Sequence, residues 1–168
     1  MKKLLPINLN TGITTDCWNF YRLAVILSDE KLLPWFVERF IEVLMYENFT
    51  TAYYDFGSLD AYFTYDEVLE YEEIINKEAI ISVIFDSVNR NGYVYLYWDR
   101  YFIKESPFFK KDHSLHDMLI IGYDDKQEEI YYIDIGINNI LWGIHTVKFD
   151  NFVEAFSSGL KIVRERPN

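Results

Sequence analysis

Apolar and polar positions divide the chain into a helical first part and a strand-rich second part. The run TTD at 14–16 offers three favourable helix N-caps, and the apolar positions after it recur at helical spacing. Because Trp18 and Leu23 widen the apolar stripe beyond one face, the pattern predicts a buried helix over 17–28. A second helix is predicted over about 34–44, since it starts with a proline, which is favoured in a first helical turn.

The segments that follow are less regular. Residues 49–63 are rich in Tyr and Phe around Gly57, which predicts irregular or short extended structure. The run TYDE at 64–67 matches the capping-box pattern, in which the first and fourth side chains satisfy each other's backbone N–H groups. This pattern predicts a short acidic helix that ends at about Lys77.

From Ala79 onward the sequence favours strands, because β-branched and aromatic residues dominate its apolar runs. A turn signal, NRNG at 89–92, separates the first two runs, and the polar residues 124–128 join the pair that gives the clearest hairpin pattern. The predicted elements are strands at 79–85, 92–98, 118–123, 129–134 and 141–149, a short helix capped by Asp150 or Asn151, and a strand at 160–163.

Helices first and antiparallel strands afterwards indicate an α+β fold. The chain has 168 residues, a length that suits one domain. It shows neither an internal repeat nor a Ser/Gly/Pro-rich linker, so a single domain over 1–168 is predicted.

Charge and cysteine content exclude several classes of function. With 27 acidic and 16 basic side chains, the net charge is −11, which argues against a nucleic-acid partner and favours cationic partners. The single cysteine excludes an intramolecular disulfide and a multi-cysteine zinc site.

The N-terminal residues begin like a secretory signal, with two lysines followed by leucines. Pro6, Asn8 and Asn10 interrupt the apolar run before a signal-peptide core can form. No stretch approaches the roughly 18 apolar residues of a membrane span. A cytoplasmic protein without membrane contact is therefore predicted.

Cys17 stands at the start of the first predicted helix. The partial positive charge and the N–H groups of a helix N-terminus stabilise a thiolate, which is the reactive form of cysteine. Asp16 opposes this by charge repulsion unless it is turned away as an N-cap. The alternative is that Cys17 is only a small apolar residue of a buried helix.

His116 opens a buried strand of the predicted hairpin, and Asp134 ends the next strand. If the two strands pair, the carboxylate lies beside the imidazole and can orient it. A cysteine at a helix start, a histidine and an orienting carboxylate form the arrangement used by thiol proteases. Taken singly, His116 is also explained as an ordinary strand-end histidine and Asp134 as a turn residue.

Other candidate positions carry weaker signals. Asp99 follows a predicted strand and is a candidate for orienting substrate or a neighbouring side chain, with a turn role as the alternative. The pair His113 and His116 has no further clustered ligands, so no metal is predicted. No cofactor is predicted either.

The chain resembles the papain-like C39 peptidase group over residues 79–134, and most closely the family of the N-terminal domain of butirosin biosynthesis protein H. In this family a histidine opens an apolar strand that runs into GYDD. The likeness is carried by VYLYWDRYF at 94–102, HSLH at 113–116, IIGYDD at 120–125 and YID at 132–134, together with DCW at 16–18.

This resemblance implies a papain-like fold, in which N-terminal helices pack on an antiparallel sheet and the first helix carries the nucleophile. It implies Cys17 as nucleophile, His116 as general base and acid, and Asp134 as the residue that orients His116. Papain-like enzymes usually carry a Gln shortly before the cysteine to help hold the oxyanion, and this sequence has none there. The substitutes we consider, beside the backbone N–H of Cys17, are Asn10, Thr11 and Thr14.

Cysteine-dependent acyl transfer through an acyl-thioester enzyme is the leading functional hypothesis. The butirosin-type resemblance implies transfer from a carrier-protein thioester to an amine in specialised metabolism, whereas the C39 resemblance implies hydrolysis of a peptide. The acidic charge suits a cationic amine acceptor, and Lys104, Lys110 and Lys111 would form a local basic patch for an acidic carrier protein. A catalytically inactive papain-like binding module is the competing class, supported by the missing Gln.

Overall fold

The computed structural model describes residues 1–12, 17–40, 43–45, 52–54 and 77–165. The chain divides into two compact units, one formed by Met1–Pro6 with Val68–Asn168 and the other by Ile7–Glu67. The single domain over 1–168 stays a prediction. Among the described helices, none is long and apolar enough to cross a lipid bilayer.

The smaller unit, Ile7–Glu67, contains helix α1 (Cys17–Ile26), a 3-10 turn (Glu30–Leu32), helix α2 (Leu33–Phe40) and a two-stranded antiparallel pair of β2 (Val43–Met45) and β3 (Ala52–Tyr54). Helix α1 begins at its predicted first residue, and its apolar side chains are buried over most of its length.

The second predicted helix is correct at its start and wrong at its end. Helix α2 stops at Phe40, and Val43–Met45 forms strand β2 instead, because these residues pair with Ala52–Tyr54. The extended structure predicted within 49–63 is present at β3. The helix predicted from 64 to about 77 lies outside the described residues, apart from its last residue.

In its described residues, the larger unit has an antiparallel sheet and two helices. The sheet order is β1-β5-β6-β7, and β4 pairs with β5 as well. The pairing of β5 and β6 confirms the predicted hairpin. In chain order the elements are β1 (Lys2–Leu4), α3 (Lys77–Asn89), β4 (Val94–Asp99), a 3-10 turn (Arg100–Phe102), β5 (Leu115–Asp124), β6 (Glu129–Ile137), β7 (Ile140–Lys148) and α4 (Phe149–Glu165).

The strand predicted at 79–85 is wrong, because these residues belong to helix α3. Ile80, Ile84 and Val88 are spaced four residues apart and are all buried in the core, so helical burial outweighs their β-branched preference. The NRNG run ends this helix instead of joining two strands. Asn91 adopts a φ of 65°, and the backbone N–H of Gly92 donates to the carbonyl of Ser87 at 2.7 Å.

The last predicted strand, 160–163, is wrong for a similar reason. Helix α4 runs without a break from Phe149 to Glu165, and its buried side chains include Phe149, Phe152 and Phe156. A Cβ atom at Gly159 would lie 2.9 Å from the Cα of Trp98, so the absent side chain lets α4 approach β4 closely. The helix is therefore part of the same core as the sheet.

The fold class is α+β, with helices and an antiparallel sheet, as predicted. The aromatic and aliphatic core of the larger unit lies between α3, α4 and one face of the sheet. This face also carries His116 and Asp134, at the end of the sheet where β5 begins.

Candidate functional site

His116 and Asp134 share one face of the sheet. His116 pairs with Trp98 of β4, and Leu119 of β5 pairs with Ile133 of β6. Because side chains alternate along a strand, positions 116 and 134 point to the same side. Asp134 Oδ1 lies 3.1 Å from His116 Nδ1, which is the proximity that the hairpin predicted.

Asp134 is completely buried, and four donors surround its carboxylate. Arg100 donates from Nε to Oδ2 at 3.1 Å and from Nη2 to Oδ1. The indole N–H of Trp98 donates to Oδ2 at 3.3 Å, and the backbone N–H of Ile135 donates to Oδ1 at 2.6 Å. A carboxylate has about four lone-pair positions, so these contacts fill the acceptor capacity of Asp134.

The contacts of His116 define which ring nitrogen carries the proton. Nδ1 lies 2.7 Å from the backbone carbonyl of Asp117 and 3.0 Å from Nη2 of Arg100. Nη2 has two hydrogens, and these are directed at Asp134 and at the carbonyl of Ile135. We therefore assign the proton to Nδ1, which donates to the carbonyl of Asp117, and the lone pair to Nε2.

Asp117 touches His116 a second time through its side chain. Its Oδ1 lies 3.3 Å from Nδ1 of His116, and its Oδ2 accepts a hydrogen bond from the hydroxyl of Tyr95 at 3.1 Å. That hydroxyl also lies 3.3 Å from the hydroxyl of Tyr97. Burial raises the pKa of Tyr95, and the neighbouring Tyr97 and Asp117 raise it further, so Tyr95 remains a neutral donor to this carboxylate.

Asp99 forms a second buried carboxylate group with its own histidine. Its Oδ2 accepts from Nδ1 of His113 at 2.5 Å and from the hydroxyl of Ser158 at 2.7 Å. Its Oδ1 accepts from the backbone N–H groups of Tyr101 and Ser114, both at 3.0 Å. Since these four bonds join the end of β4, the start of β5 and helix α4, Asp99 holds the backbone on both sides of Arg100. This contact pattern favours the turn role over the substrate role.

The third histidine of the chain lies in strand β7 and has a different environment. His145 pairs with Tyr132 across the ladder, and the two rings are tilted with centroids 5.6 Å apart. His145 Nε2 and the hydroxyl of Tyr132 are buried and have no hydrogen-bond partner among the described residues. Burial lowers the pKa of His145, although the negative charges of Asp134 and Glu105 partly oppose it.

Cys17 and the predicted oxyanion residues belong to the smaller unit. Cys17 is the first residue of α1 and is partly exposed. Thr11 is buried, Asn10 is exposed, and Thr14 lies outside the described residues. The backbone N–H of Asn10 donates to the side chain of Asn8 at 2.9 Å. The roles assigned to these residues stay predictions.

The sequence did not reveal four side chains that surround His116 and Asp134. One signal was available for Arg100, which is a charged residue within the aromatic run WDRYF. An arginine in such a position is seldom buried unless a carboxylate pairs with it. The contacts of the other three residues depend on strand register, which cannot be read from the sequence pattern. The four residues are Trp98, Arg100, Asp117 and Tyr95.

Comparisons with protein-family models, with curated proteins and with solved structures found no match to this chain. The resemblance to papain-like enzymes therefore stays a prediction, and the candidate site rests on the geometry described above.

Proposed function

We propose that the protein catalyses cysteine-dependent acyl transfer, with Cys17 as nucleophile and His116 as general base and acid. The observation that supports this proposal is the position of His116, whose Nδ1 lies 2.7 Å from the carbonyl of Asp117. In the tautomer that donates from Nδ1 to this carbonyl, Nε2 is the ring atom that exchanges the proton in the proposed reaction. A cysteine that opens a helix complements this base, because a helix N-terminus favours the thiolate.

The proposed reaction needs neither cofactor nor metal. The Cys17 thiol gives its proton to Nε2 of His116, and the sulfur attacks the carbonyl carbon of the donor thioester. The donor thiolate leaves and takes the proton from His116. An amine then attacks the acyl-Cys17 carbonyl, His116 accepts the proton from the nitrogen and returns it to the departing Cys17 sulfur, and an amide is released.

Asp134 has a positioning role in this proposal. It fixes Arg100, and the guanidinium and carboxylate together lie against the ring of His116. Asn10, Thr11 and Thr14 remain the candidates for holding the oxyanion with the backbone N–H of Cys17. The proposal requires the Cys17 thiol to reach Nε2 of His116 during the reaction.

The proposed donor is an acyl group on a carrier-protein thioester, and the proposed acceptor is a cationic amine in specialised metabolism. A net charge of −11 attracts cationic amines. Lys104, Lys110 and Lys111 are exposed in the segment between β4 and β5, where they offer positive charge to an acidic carrier. A cytoplasmic location is part of the same proposal.

Intact-mass spectrometry on the full chain tests the chemistry directly. The protein is incubated with an N-acetylcysteamine acyl thioester, and a mass increase of one acyl group on Cys17 is expected, followed by its loss and amide formation when a diamine is added. Cys17→Ala is expected to abolish the adduct, and His116→Gln to slow its formation by about 100-fold or more. Asp86→Asn, at an exposed position of helix α3, is expected to leave the rate unchanged.

Two other outcomes would redirect the proposal. Cleavage of peptides without acylation by thioesters would indicate a C39-like peptidase or amidase. No adduct, together with resistance of Cys17 to alkylation at neutral pH, would indicate a catalytically inactive binding module. One observation favours that last alternative: the ion pair with Arg100 occupies the carboxylate that a triad would turn toward its histidine.

A further inference from the structure

Helix α4 contacts the end of strand β4 through two neighbouring residues. The hydroxyl of Ser158 donates to Oδ2 of Asp99 at 2.7 Å. At Gly159 the helix lies so close that a Cβ atom would stand 2.9 Å from the Cα and 3.1 Å from the carbonyl carbon of Trp98. We propose that Ser158 and Gly159 are positioning residues, which set the place of this strand end and, through it, of the side chains beside His116. The catalytic use of this arrangement rests on the proposed function, whereas the positioning itself does not.

The position of Gly159 inside helix α4 indicates that the close approach matters, because glycine is among the weakest helix formers. The atoms that a side chain at Gly159 would meet are backbone atoms of β4, and they also include N of Asp99 at 3.3 Å. Backbone atoms cannot turn aside as the end of a flexible side chain can. Since ordinary contact begins at 3.4 Å, an alanine there would require helix and strand to separate by about 0.5 Å, the difference between 3.4 and 2.9 Å.

The strand end that α4 contacts supplies donors to Asp134. On one side of Asp99, the indole N–H of Trp98 donates to Oδ2 of Asp134 at 3.3 Å. On the other side, Arg100 donates to the same carboxylate and places Nη2 3.0 Å from Nδ1 of His116. Trp98 is also the ladder partner of His116. A displacement of this strand end is therefore passed to both the carboxylate and the imidazole.

Ser158 differs from the other donors to Asp99 in where it lies. His113 and the backbone N–H groups of Tyr101 and Ser114 all belong to the segment between β4 and β5, so their bonds hold that segment to the strand end. The bond from Ser158 joins the strand end to helix α4. Loss of its hydroxyl should therefore leave the turn formed and loosen its attachment to the helix.

The indole ¹H–¹⁵N NMR signal of Trp98 in the folded full chain measures this positioning without an enzymatic assay. Trp98→Phe identifies the signal among those of the four tryptophans. In Gly159→Ala and in Ser158→Ala the proton signal is expected to move upfield, because the hydrogen bond to Asp134 lengthens from 3.3 Å and weakens. A general loss of stability would not move this signal, since the spectrum is that of the folded state.

Control variants and a rate measurement make the test specific. Ser157→Ala removes the neighbouring hydroxyl of α4 and is expected to leave the Trp98 signal in place. Ser158→Thr keeps the hydroxyl and is expected to keep the wild-type signal. The rate at which an N-acetylcysteamine thioester acylates Cys17 is expected to fall about tenfold in Gly159→Ala, because a displacement of less than 1 Å near reacting groups slows catalysis to that extent. Ser157→Ala should keep the wild-type rate.

The inference is overturned for either residue whose alanine variant leaves the Trp98 signal at its wild-type position, and for both if Ser157→Ala moves it as far as Ser158→Ala does. If Gly159→Ala does not fold, Ser158→Ala decides by itself. A moved signal with a wild-type acylation rate would overturn the catalytic use of the positioning. Failure of the acyl-transfer proposal would look different, because wild-type protein would form no acyl adduct on Cys17 while the Trp98 signal still moved in the variants.

Discussion

Two completely buried carboxylates of the larger unit, Asp134 and Asp99, each lie beside a histidine, and their surroundings balance the charge differently. Asp134 is paired with the guanidinium of Arg100, and His116 stands next to that ion pair. Asp99 immediately precedes Arg100 in the chain and accepts from His113, from Ser158 and from two backbone N–H groups. Both carboxylates are 0% exposed.

The difference shows that a histidine beside an aspartate is not enough to define a catalytic pair. Burial alone would raise the pKa of Asp99, but the hydrogen bonds from His113 and Ser158 and from the backbone outweigh it and lower the pKa. At Asp134 the arginine has taken the acceptor positions that a triad histidine would need. The donors that reach each carboxylate decide what its histidine can do.

Breaking the ion pair at Asp134 is expected to have the largest effect on stability. Arg100→Met leaves a buried carboxylate without its counter-charge, which should lower the free energy of unfolding by about 3–5 kcal/mol. Urea unfolding followed by circular dichroism measures this change. Arg90→Met is the matched control, because Arg90 is exposed and its change should stay within about 0.5 kcal/mol.

A double variant separates charge from packing at this site. Arg100→Met combined with Asp134→Leu removes both charges and should recover most of the lost stability, since a buried pair replaced by apolar residues is often neutral. If the double variant is as unstable as Arg100→Met, stability is lost through packing and hydrogen bonds and not through the unpaired charge. The contrast with Asp99 is then weaker than described.

Asp99→Asn is expected to have the second-largest effect, about 1–3 kcal/mol, because the amide NH₂ cannot accept from one pair of donors. The size of this effect should depend on pH. The folded pKa of Asp99 lies below its ordinary value of 3.8, so its stabilisation is complete above that value and is lost as pH falls through the folded value. The stability difference between wild type and variant should therefore shrink as pH falls toward 3.

Urea unfolding at several pH values from 6 down to 3 measures that trend. Asp86→Asn serves as the control, since Asp86 is exposed on helix α3. A difference that stays constant with pH would mean that hydrogen-bond geometry, and not the charge of Asp99, carries the stabilisation.

His145 sharpens the comparison because it is a buried histidine to which no carboxylate among the described residues is hydrogen-bonded. Burial lowers its pKa from 6.5, so the unfolded chain binds this proton first and stability falls as pH drops below 6.5, until the folded value is reached. The slope reaches about 1.4 kcal/mol per pH unit at most. His145→Leu should remove this slope between pH 7.5 and 5.5, and Thr146→Ala should keep it; an unchanged slope in His145→Leu would contradict the assignment.

Tyr132→Phe is expected to have the smallest effect. It tests whether the acceptor positions of Asp134 are all filled, so that none is left for the hydroxyl of Tyr132. The hydroxyl of Tyr132 is buried without a hydrogen-bond partner among the described residues, so its removal should leave stability unchanged or raise it by up to about 1 kcal/mol. Tyr123→Phe is the matched control, because that hydroxyl donates to Asn89 at 2.9 Å and its loss should cost about 1 kcal/mol. A clear loss in Tyr132→Phe would show that this hydroxyl has found an acceptor.

Local patterns predicted the central hairpin and the proximity within it. Two apolar runs rich in β-branched and aromatic residues flank the polar turn at 124–128, so the approach of Asp134 to His116 was expected from their spacing. Helix α3 was not predicted by the local pattern, because its β-branched residues favour strands locally and are helical only through burial of one face. The length of helix α4 could likewise not be predicted from the local pattern, because it depends on the packing of its aromatic face against the sheet.

The amino-acid sequence by itself determined the α+β class, the α1 helix that opens with Cys17, and the histidine and aspartate that face each other across the hairpin. These features depend on apolar runs, helical spacing, capping and turn residues that act over a few positions. Only the tertiary structure decided that Arg100 and Trp98 donate to the carboxylate of Asp134 and that the carbonyl of Asp117 lies beside Nδ1 of His116. The pairing of residues 98 and 100 with residue 134 joins distant segments, and it depends on how strands and helices pack together.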